Sequence, residues 1–526
     1  MPFSGGGSAA SEPEAWARWW EVNRTRFLER ARDPILPTTG PDSHIRTPPP
    51  LLAEGRASSS ESWPFISGAV SEAIQEGLRD GSLYVRSAAA YARGKIGGSG
   101  ALQDLRPLLA DPSIRVRELS ALGLGFLGGP RGRALLEGVL SAPDAAAVPG
   151  DREHARAFAA LGLALGCDPA AVPALEEALR DEQEEVRCAA ARALGLLEHR
   201  ESLPALEKSL REDRSASVRA YAATALGRLR DAGSIPALLD ATGSTVLPLR
   251  RAATLALGEV APPSQGGVVA RLIDLLGSDA DRTVRGYAAL SLGQVGGRVA
   301  EAALLRALAT GPTRSKSWVA IGLGILLRDD PSAEGRAALL EGLRKRRGDP
   351  CLAAAYALAA GLARASEAEG DVRTLARSTH DPLVRFCALD ALVFLGWSDR
   401  LIPDAEHELA RAPELPNARS LALTARLAGD RRMADTLLSL ARGRRNVPLA
   451  VAGAFGLGYA GDASHLDGLA SILADERAPS NLRAAAAFSI GTLSEPRRWP
   501  LLVAARWGEE VTEDRVATMR EFRDLP

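Results

Sequence analysis

Between Gln183 and Arg230 the chain nearly repeats itself: VRCAAARALGLLE is followed by VRAYAATALGRLR, with Arg187 over Arg219 and Gly195 over Gly227. A segment that returns at such a period is one structural unit, which confines the chain to an array of stacked supersecondary pieces. With that Arg as anchor, copies fall at Arg86, Arg117, Arg156, Arg187, Arg219, Arg250, Arg285, Lys316, Ala353, Arg385, Arg419, Ala450 and Arg483, 31 to 39 residues apart. Each copy reads as an aliphatic residue, Arg, two variable residues and then Ala-Ala-x-Ala-Leu-Gly-x-Leu, apolar at the spacing of one helix face. A second apolar-periodic stretch precedes each motif, such as VPALEEALRD before Arg187 and LPALEKSLRED before Arg219. Pro173, Pro204 and Pro236 stand near the starts of these stretches, where a missing N–H costs nothing. Asp111-Pro112, Asp349-Pro350 and Asp381-Pro382 supply a cap and a first-turn proline for the helix that follows. The prediction is an all-α solenoid of about thirteen two-helix repeats.

Two regularities show how the repeats stack. Gly stands eight places after the anchor in most of them, among them Gly94, Gly125, Gly195, Gly227, Gly258, Gly293, Gly324 and Gly491. Glycine inside a helix costs about 1 kcal/mol relative to Ala, so its return implies a neighbouring helix too close for a methyl group. Asp stands six places before the anchor in Asp80/Arg86, Asp111/Arg117, Asp181/Arg187, Asp213/Arg219 and Asp279/Arg285. An acid in the turn and a base one turn into the next helix can bridge within or between repeats and set the stacking angle.

An Ile-Pro-Ala-Leu start, an Asp in the turn, Val-Arg and then Ala-Ala-x-Ala-Leu-Gly together resemble the HEAT repeat, in the short bacterial form named after the phycobilisome lyases. The resemblance covers about residues 63–497. It implies a superhelix with first helices on the convex side and second helices on the concave side. It also implies a ladder of turn Asp and helix Arg, here the five pairs just named; repeats anchored at Ala353 and Ala450 lack the Arg. For activity it implies, as one alternative, a lyase or chaperone acting on a bilin-carrying protein, although no residue can be assigned that role. Recognition of DNA, which related arrays achieve, is another alternative.

Outside the array the pattern stops. In residues 1–62 a helix is predicted from Glu12 to Arg32, carrying Trp16, Trp19 and Trp20, followed by a proline-rich connection through Pro48-Pro49-Pro50. Such a helix is expected to dock on the array as a cap or plug. Residues 498–526 keep Trp499 and Trp507 before turning highly charged, as a terminal cap must. Lys+Arg 64 balance Asp+Glu 65 for a net charge of −1, whereas a chain built to grip a phosphate backbone carries a basic excess. Cys167, Cys188, Cys351 and Cys387 match no zinc or redox spacing. With no signal-peptide core and no apolar run of spanning length, a soluble, cytoplasmic chain is expected.

The chemistry-bearing residues point to binding rather than catalysis. Gly123, Gly125, Gly128 and Gly456, Gly458, Gly461 match GxGxxG, but both sets lie within the repeat motif with no preceding strand, so no phosphate cradle is predicted. The six histidines never approach metal-ligand spacing, and carboxylates sit where caps explain them. No catalytic residue, cofactor or metal site is therefore assigned. Positions two, five and nine after the anchor point away from the Ala/Leu core and are expected to face the concave groove. Leu119, Leu122, Phe126 and Phe158 occupy them early in the array, and Trp318, Ile321 and Ile325 later. Between lie the more polar Arg192, Tyr221, Thr224, Arg228 and Tyr287. The partner-binding candidates are Arg192, Tyr221, Arg228, Tyr287, Trp318, Ile321 and Ile325, with tight winding of the protein on itself as the competing account of the apolar ones. The expected function is a non-catalytic scaffold that binds a peptide or protein in the groove.

Overall fold

Wherever the chain is described, the motif forms the second helix of a pair. The computed structural model describes residues 66–141, 151–345, 349–379, 381–396, 432–443 and 446–494. The expected Trp-bearing arm (1–62), the expected terminal cap (498–526) and the repeat anchored at Arg419 lie outside them. Among the described residues there is no strand; the fold is an all-α solenoid.

The first five pairs are α1 (Gly68–Gly77) with α2 (Leu83–Ile96), α3 (Ala101–Leu105) with α4 (Ile114–Leu127), α5 (Gly129–Ser141) with α6 (Asp151–Leu165), α7 (Val172–Ala178) with α8 (Glu184–Leu197), and α9 (Leu203–Glu212) with α10 (Ala216–Leu229). The next five are α11 (Ile235–Ala241) with α12 (Leu247–Val260), α13 (Gly266–Ser278) with α14 (Arg282–Val295), α15 (Arg298–Thr310) with α16 (Lys316–Asp329), α17 (Ala333–Lys345) with α18 (Pro350–Leu362), and α19 (Glu369–Ser378) with α20 (Pro382–Phe394). The last two are α21 (Arg432–Ala441) with α22 (Val447–Ala460), and α23 (Leu466–Ala474) with α24 (Ser480–Ser494). They fall into two compact bodies. A middle body takes the helices within Arg230–Ser398, and a split body takes those within Thr47–Leu229 together with those within Asp399–Pro526.

Local signals act largely as expected. Pro173, Pro204 and Pro236 sit in the first turn of α7, α9 and α11. Asp349 caps α18 by accepting from the Leu352 N–H at 3.1 Å. Asp111 does not cap α4, whose boundary residue is Ser113; its carboxylate accepts instead from the Ser113 N–H at 2.8 Å and shapes the turn. Each second helix buries its Ala/Leu face, as α2 does with Val85, Ala88, Ala89 and Ala92.

Close approach explains the recurrent glycine. A Cβ on Gly94 would lie 2.3 Å from the Cα and carbonyl oxygen of Gly123, and one on Gly125 would lie 2.3 Å from the Gly162 oxygen. In the middle body Gly293 meets the Gly322 oxygen at 2.2 Å and Gly324 meets that of Ala359 at 2.6 Å by the same measure. In every case the glycine eight places after one anchor meets the residue six places after the next, so successive second helices touch through their backbones.

The Asp/Arg ladder has its own register. Four anchor arginines donate to the carbonyl of the Asp in their own turn: Arg86 to Asp80 at 2.8 Å, Arg117 to Asp111 at 2.8 Å, Arg187 to Asp181 at 2.9 Å, and Arg285 to Asp279. The carboxylates serve the preceding repeat. Arg86 forks onto Asp111 at 3.0 and 3.1 Å, Arg187 onto Asp213 at 2.9 and 3.2 Å, and Arg156 onto Asp181, while Arg250 reaches Asp279 at 3.0 Å. Arg219 turns its Nε to the Leu210 carbonyl at 3.0 Å. The turn itself imposes this register, because each Asp oxygen accepts an N–H two residues on, that of Ser82 for Asp80 and that of Ser215 for Asp213, and the remaining lone pairs face the repeat before.

In the split body the same register carries the last repeat onto the first. Arg483 on α24 donates to Asp80 at 2.5 Å, as Arg86 does to Asp111, across 403 positions of sequence. A Cβ on Gly491 would lie 2.8 Å from the Ala92 Cα, the counterpart of Gly94 on Gly123. Beside this junction Ser67 donates to Asp467 of α23 at 2.5 Å, and Gly77 of α1 lies against Leu473 of α23. The second helices of the split body therefore stack in the order α22, α24, α2, α4, α6, α8, α10.

Candidate interaction surface

Burial divides the seven sequence-derived candidates into two groups. In the middle body Tyr287, Trp318, Ile321 and Ile325 are all buried, Trp318 at 5% exposure and Ile321 at 0%. The Trp318 ring lies over Gly286, where a Cβ would come within 2.7 Å of it, and packs edge-on against Tyr287 with centroids 5.5 Å apart. Gly286 is small because the indole takes its space. These four side chains are packed within the protein, as the competing account has it, and present no surface to a partner.

Burial pushes the Tyr287 phenol up to about 12, against the pull of Arg251. Nearby, burial disfavours the charged form of Asp281, but the Arg251 guanidinium at 2.8 and 3.0 Å and the Val284 N–H outweigh it and hold the carboxyl below the usual carboxylate range. The Arg251–Asp281 pair adds a second rung beside Arg250–Asp279.

In the split body the positions take two forms. Phe455 on α22, Phe488 on α24, Tyr91 on α2 and Phe126 on α4 make a row of buried rings. Their successive centroids lie 5.6, 4.6 and 5.4 Å apart, and the Tyr91–Phe488 pair is stacked at an interplanar angle of 11°. Lys95 Nζ sits 5.4 Å from the Tyr91 ring and 5.2 Å from the Phe126 ring, within cation–π range. On α8 and α10 the side chains are Arg192, Tyr221, Thr224 and Arg228, all half-buried. These two helices touch where Gly195 faces Ala225, and the Arg228 stem passes 3.7 Å from the place of a Gly195 Cβ.

The other chemistry-bearing residues are accounted for locally. Cys188 on α8 has its thiol pushed far above the ordinary value by burial, with Glu184 and Glu185 adding to the effect, so it stays protonated. Gly123 and Gly125 sit inside α4 against α2 and α6 and form no phosphate loop. His465 is buried in a reciprocal cap with Asp462, whose N–H it accepts at 3.2 Å. Arg344 pairs with Asp371 at 2.8 Å and Lys345 with Glu341. Among the described residues no group of three or more His, Cys, Asp or Glu is placed to hold a metal, and no helix is long and apolar enough to cross a membrane.

The repeat length, the backbone contact of second helices and the ladder agree with a family profile described as HEAT repeats, which matches residues 71–151, 145–220, 203–266 and 248–324. Residues 71–324 are HEAT repeats. The packing register of these repeats continues beyond the matched span, with Gly361 against Ala391 and Gly458 against Ser489. Among solved structures the chain is similar to YibA of Escherichia coli, at 20% identity over 49% of this chain and 90% of that one, with a TM-score of 0.32. It is similar to the CpcE–CpcF complex of phycocyanin lyase from Nostoc sp. PCC7120, at 21% identity over 54% and 96%, with a TM-score of 0.31. It is also similar to yeast importin-beta, at 12% identity over 85% and 72%, with a TM-score of 0.43. No curated protein matches the sequence.

Proposed function

We propose that this chain is a non-catalytic scaffold whose α8–α10 surface receives a segment of a protein partner. One observation carries the reading: Arg192, Tyr221 and Arg228 are half-buried on the touching helices α8 and α10, at positions that hold buried rings or aliphatic side chains on α4 and α16. A tyrosine and two arginines on adjoining helices suit a peptide that offers a carboxylate and an apolar side chain, since Tyr and Arg give contact area and forked hydrogen bonds.

Affinity capture from cell extract with the intact chain, beside a Tyr221→Ala/Arg228→Ala variant, tests the proposal. A protein retained by the first and lost by the second, with the variant's melting temperature unchanged, is the expected result. Loss of binding in step with loss of stability would mean that the three side chains serve the stack.

A further inference from the structure

The junction of α24 with α2 differs from every other junction among the described repeats of the split body. Elsewhere, neighbouring repeats follow each other in sequence, so breaking their contacts leaves them held close by the intervening chain. Here the partners Arg483 and Asp80 are 403 positions apart, and no short connection holds them close once their contacts break. The junction carries the full set of repeat contacts: the Arg483–Asp80 rung and the close approach of Gly491 to Ala92. It adds the most closely stacked pair of the aromatic row, Tyr91 on Phe488, and the Ser67–Asp467 hydrogen bond. The rungs Arg187–Asp213 and Arg483–Asp80 are alike in burial, with arginine side chains 4% and 13% exposed; they differ in chain connectivity and in that Arg187 forks onto Asp213 whereas Arg483 gives its Nε to the Leu473 carbonyl.

We propose that the α24–α2 junction is a latch: the place where the split body opens first, as one event that exposes both helices. Opening parts two complementary faces, Asp80, Tyr91 and Ala92 on the first repeat and Arg483, Phe488 and Gly491 on the last. The rest of the stack, from α4 to α10, stays closed because each of its pairs is tethered to the next. This proposal does not depend on what binds at α8–α10.

Native-state hydrogen exchange on the full chain, read by mass spectrometry of peptides, tests it. In the unmodified protein, amides of α2 and α24 are expected to share one opening, faster than that of α6 and α8. Arg483→Ala should speed exchange in both α2 and α24 about tenfold, the effect of losing a hydrogen bond between charged groups. Arg187→Ala, which removes the equivalent rung between sequential repeats, should speed exchange around α8 and α10 and leave α2 and α24 protected. Should Arg483→Ala fail to fold, Asp467→Ala, which removes only the exposed bond to Ser67, should produce the same paired response at smaller amplitude. Unchanged protection of α2 when α24 is perturbed would overturn the latch. So would equal acceleration of α2 and α24 by Arg187→Ala, because the split body would then open as a whole.

Discussion

Two stretches of the split body put the same helical positions to opposite use. Across α22, α24, α2 and α4 they hold Phe455, Phe488, Tyr91 and Phe126, a buried row of rings; across α8 and α10 they hold Arg192, Tyr221 and Arg228, half in water. The frame around them is the same. Gly491 lies on Ala92 as Gly195 lies on Ala225, and Arg483 reaches Asp80 as Arg187 reaches Asp213. The backbone register is thus set by small residues and the ladder, and the outward positions are free to become either packing or surface. Where the stack joins distant parts of the chain they are aromatic, and where it runs with the sequence they can be polar.

That contrast can be broken most directly by truncation. Phe488→Ala should cost about 3–5 kcal/mol, as expected for an aromatic ring removed from a core, while Arg192→Ala should stay within about 0.5 kcal/mol. Urea unfolding of the full chain measures both. Similar losses would mean that α8 and α10 are packed like the aromatic row, and the proposed surface would disappear with the difference.

A smaller effect separates frame from periphery. Gly94→Ala places a methyl 2.3 Å from the Gly123 backbone and should cost about 1–3 kcal/mol, the usual range for overpacking. Gly138→Ala, on the exposed side of α5 with nothing within 4 Å, should instead gain up to about 1 kcal/mol from helix propensity. Opposite shifts in melting temperature are expected. Shifts of one sign would remove the steric reason given for the recurrent glycine.

The smallest effect lies where the second helices end. In the aromatic stretch, α2 and α4 are followed by Gly97 and Gly128 at φ 66° and 65°, a region that suits glycine. In the polar stretch Glu198 after α8 and Arg230 after α10 hold φ 52° and 50°. Glu198→Gly should therefore raise stability by about 0.5–1 kcal/mol, seen as a higher melting temperature. A lower one would show that the Glu198 side chain holds its turn by contacts that outweigh backbone strain.

Much of the architecture was legible because its causes are local. The glycine eight places after each anchor implies a close neighbour, and Gly94 does meet Gly123 with no room for a methyl. The outward positions were less legible. Helical phase places Trp318 and Ile321 away from their own core, but phase is a property of one helix, whereas burial depends on how near the next one comes. Once backbones touch, as at Gly293 and Gly322, the flanking side chains are covered as well.

The Asp/Arg pairing was legible in its residues and not in its register, since which repeat a carboxylate faces depends on the turn around it. The contact of α24 with α2 had no signal in the sequence, because Asp80 and Arg483 each carry the ordinary repeat motif and nothing in either motif names a partner 403 positions away.

The seating of α24 on α2 bears on how such a protein can change over generations. Repeat arrays commonly lengthen or shorten by duplicating or deleting a unit, because an added pair needs only two compatible neighbours. Here the faces that a further unit stacked between α24 and α2 would need are already taken, by Arg483 on Asp80 and Phe488 on Tyr91. A unit added at that place must therefore displace an existing contact, and point substitution at the outward positions is the easier route to a new partner.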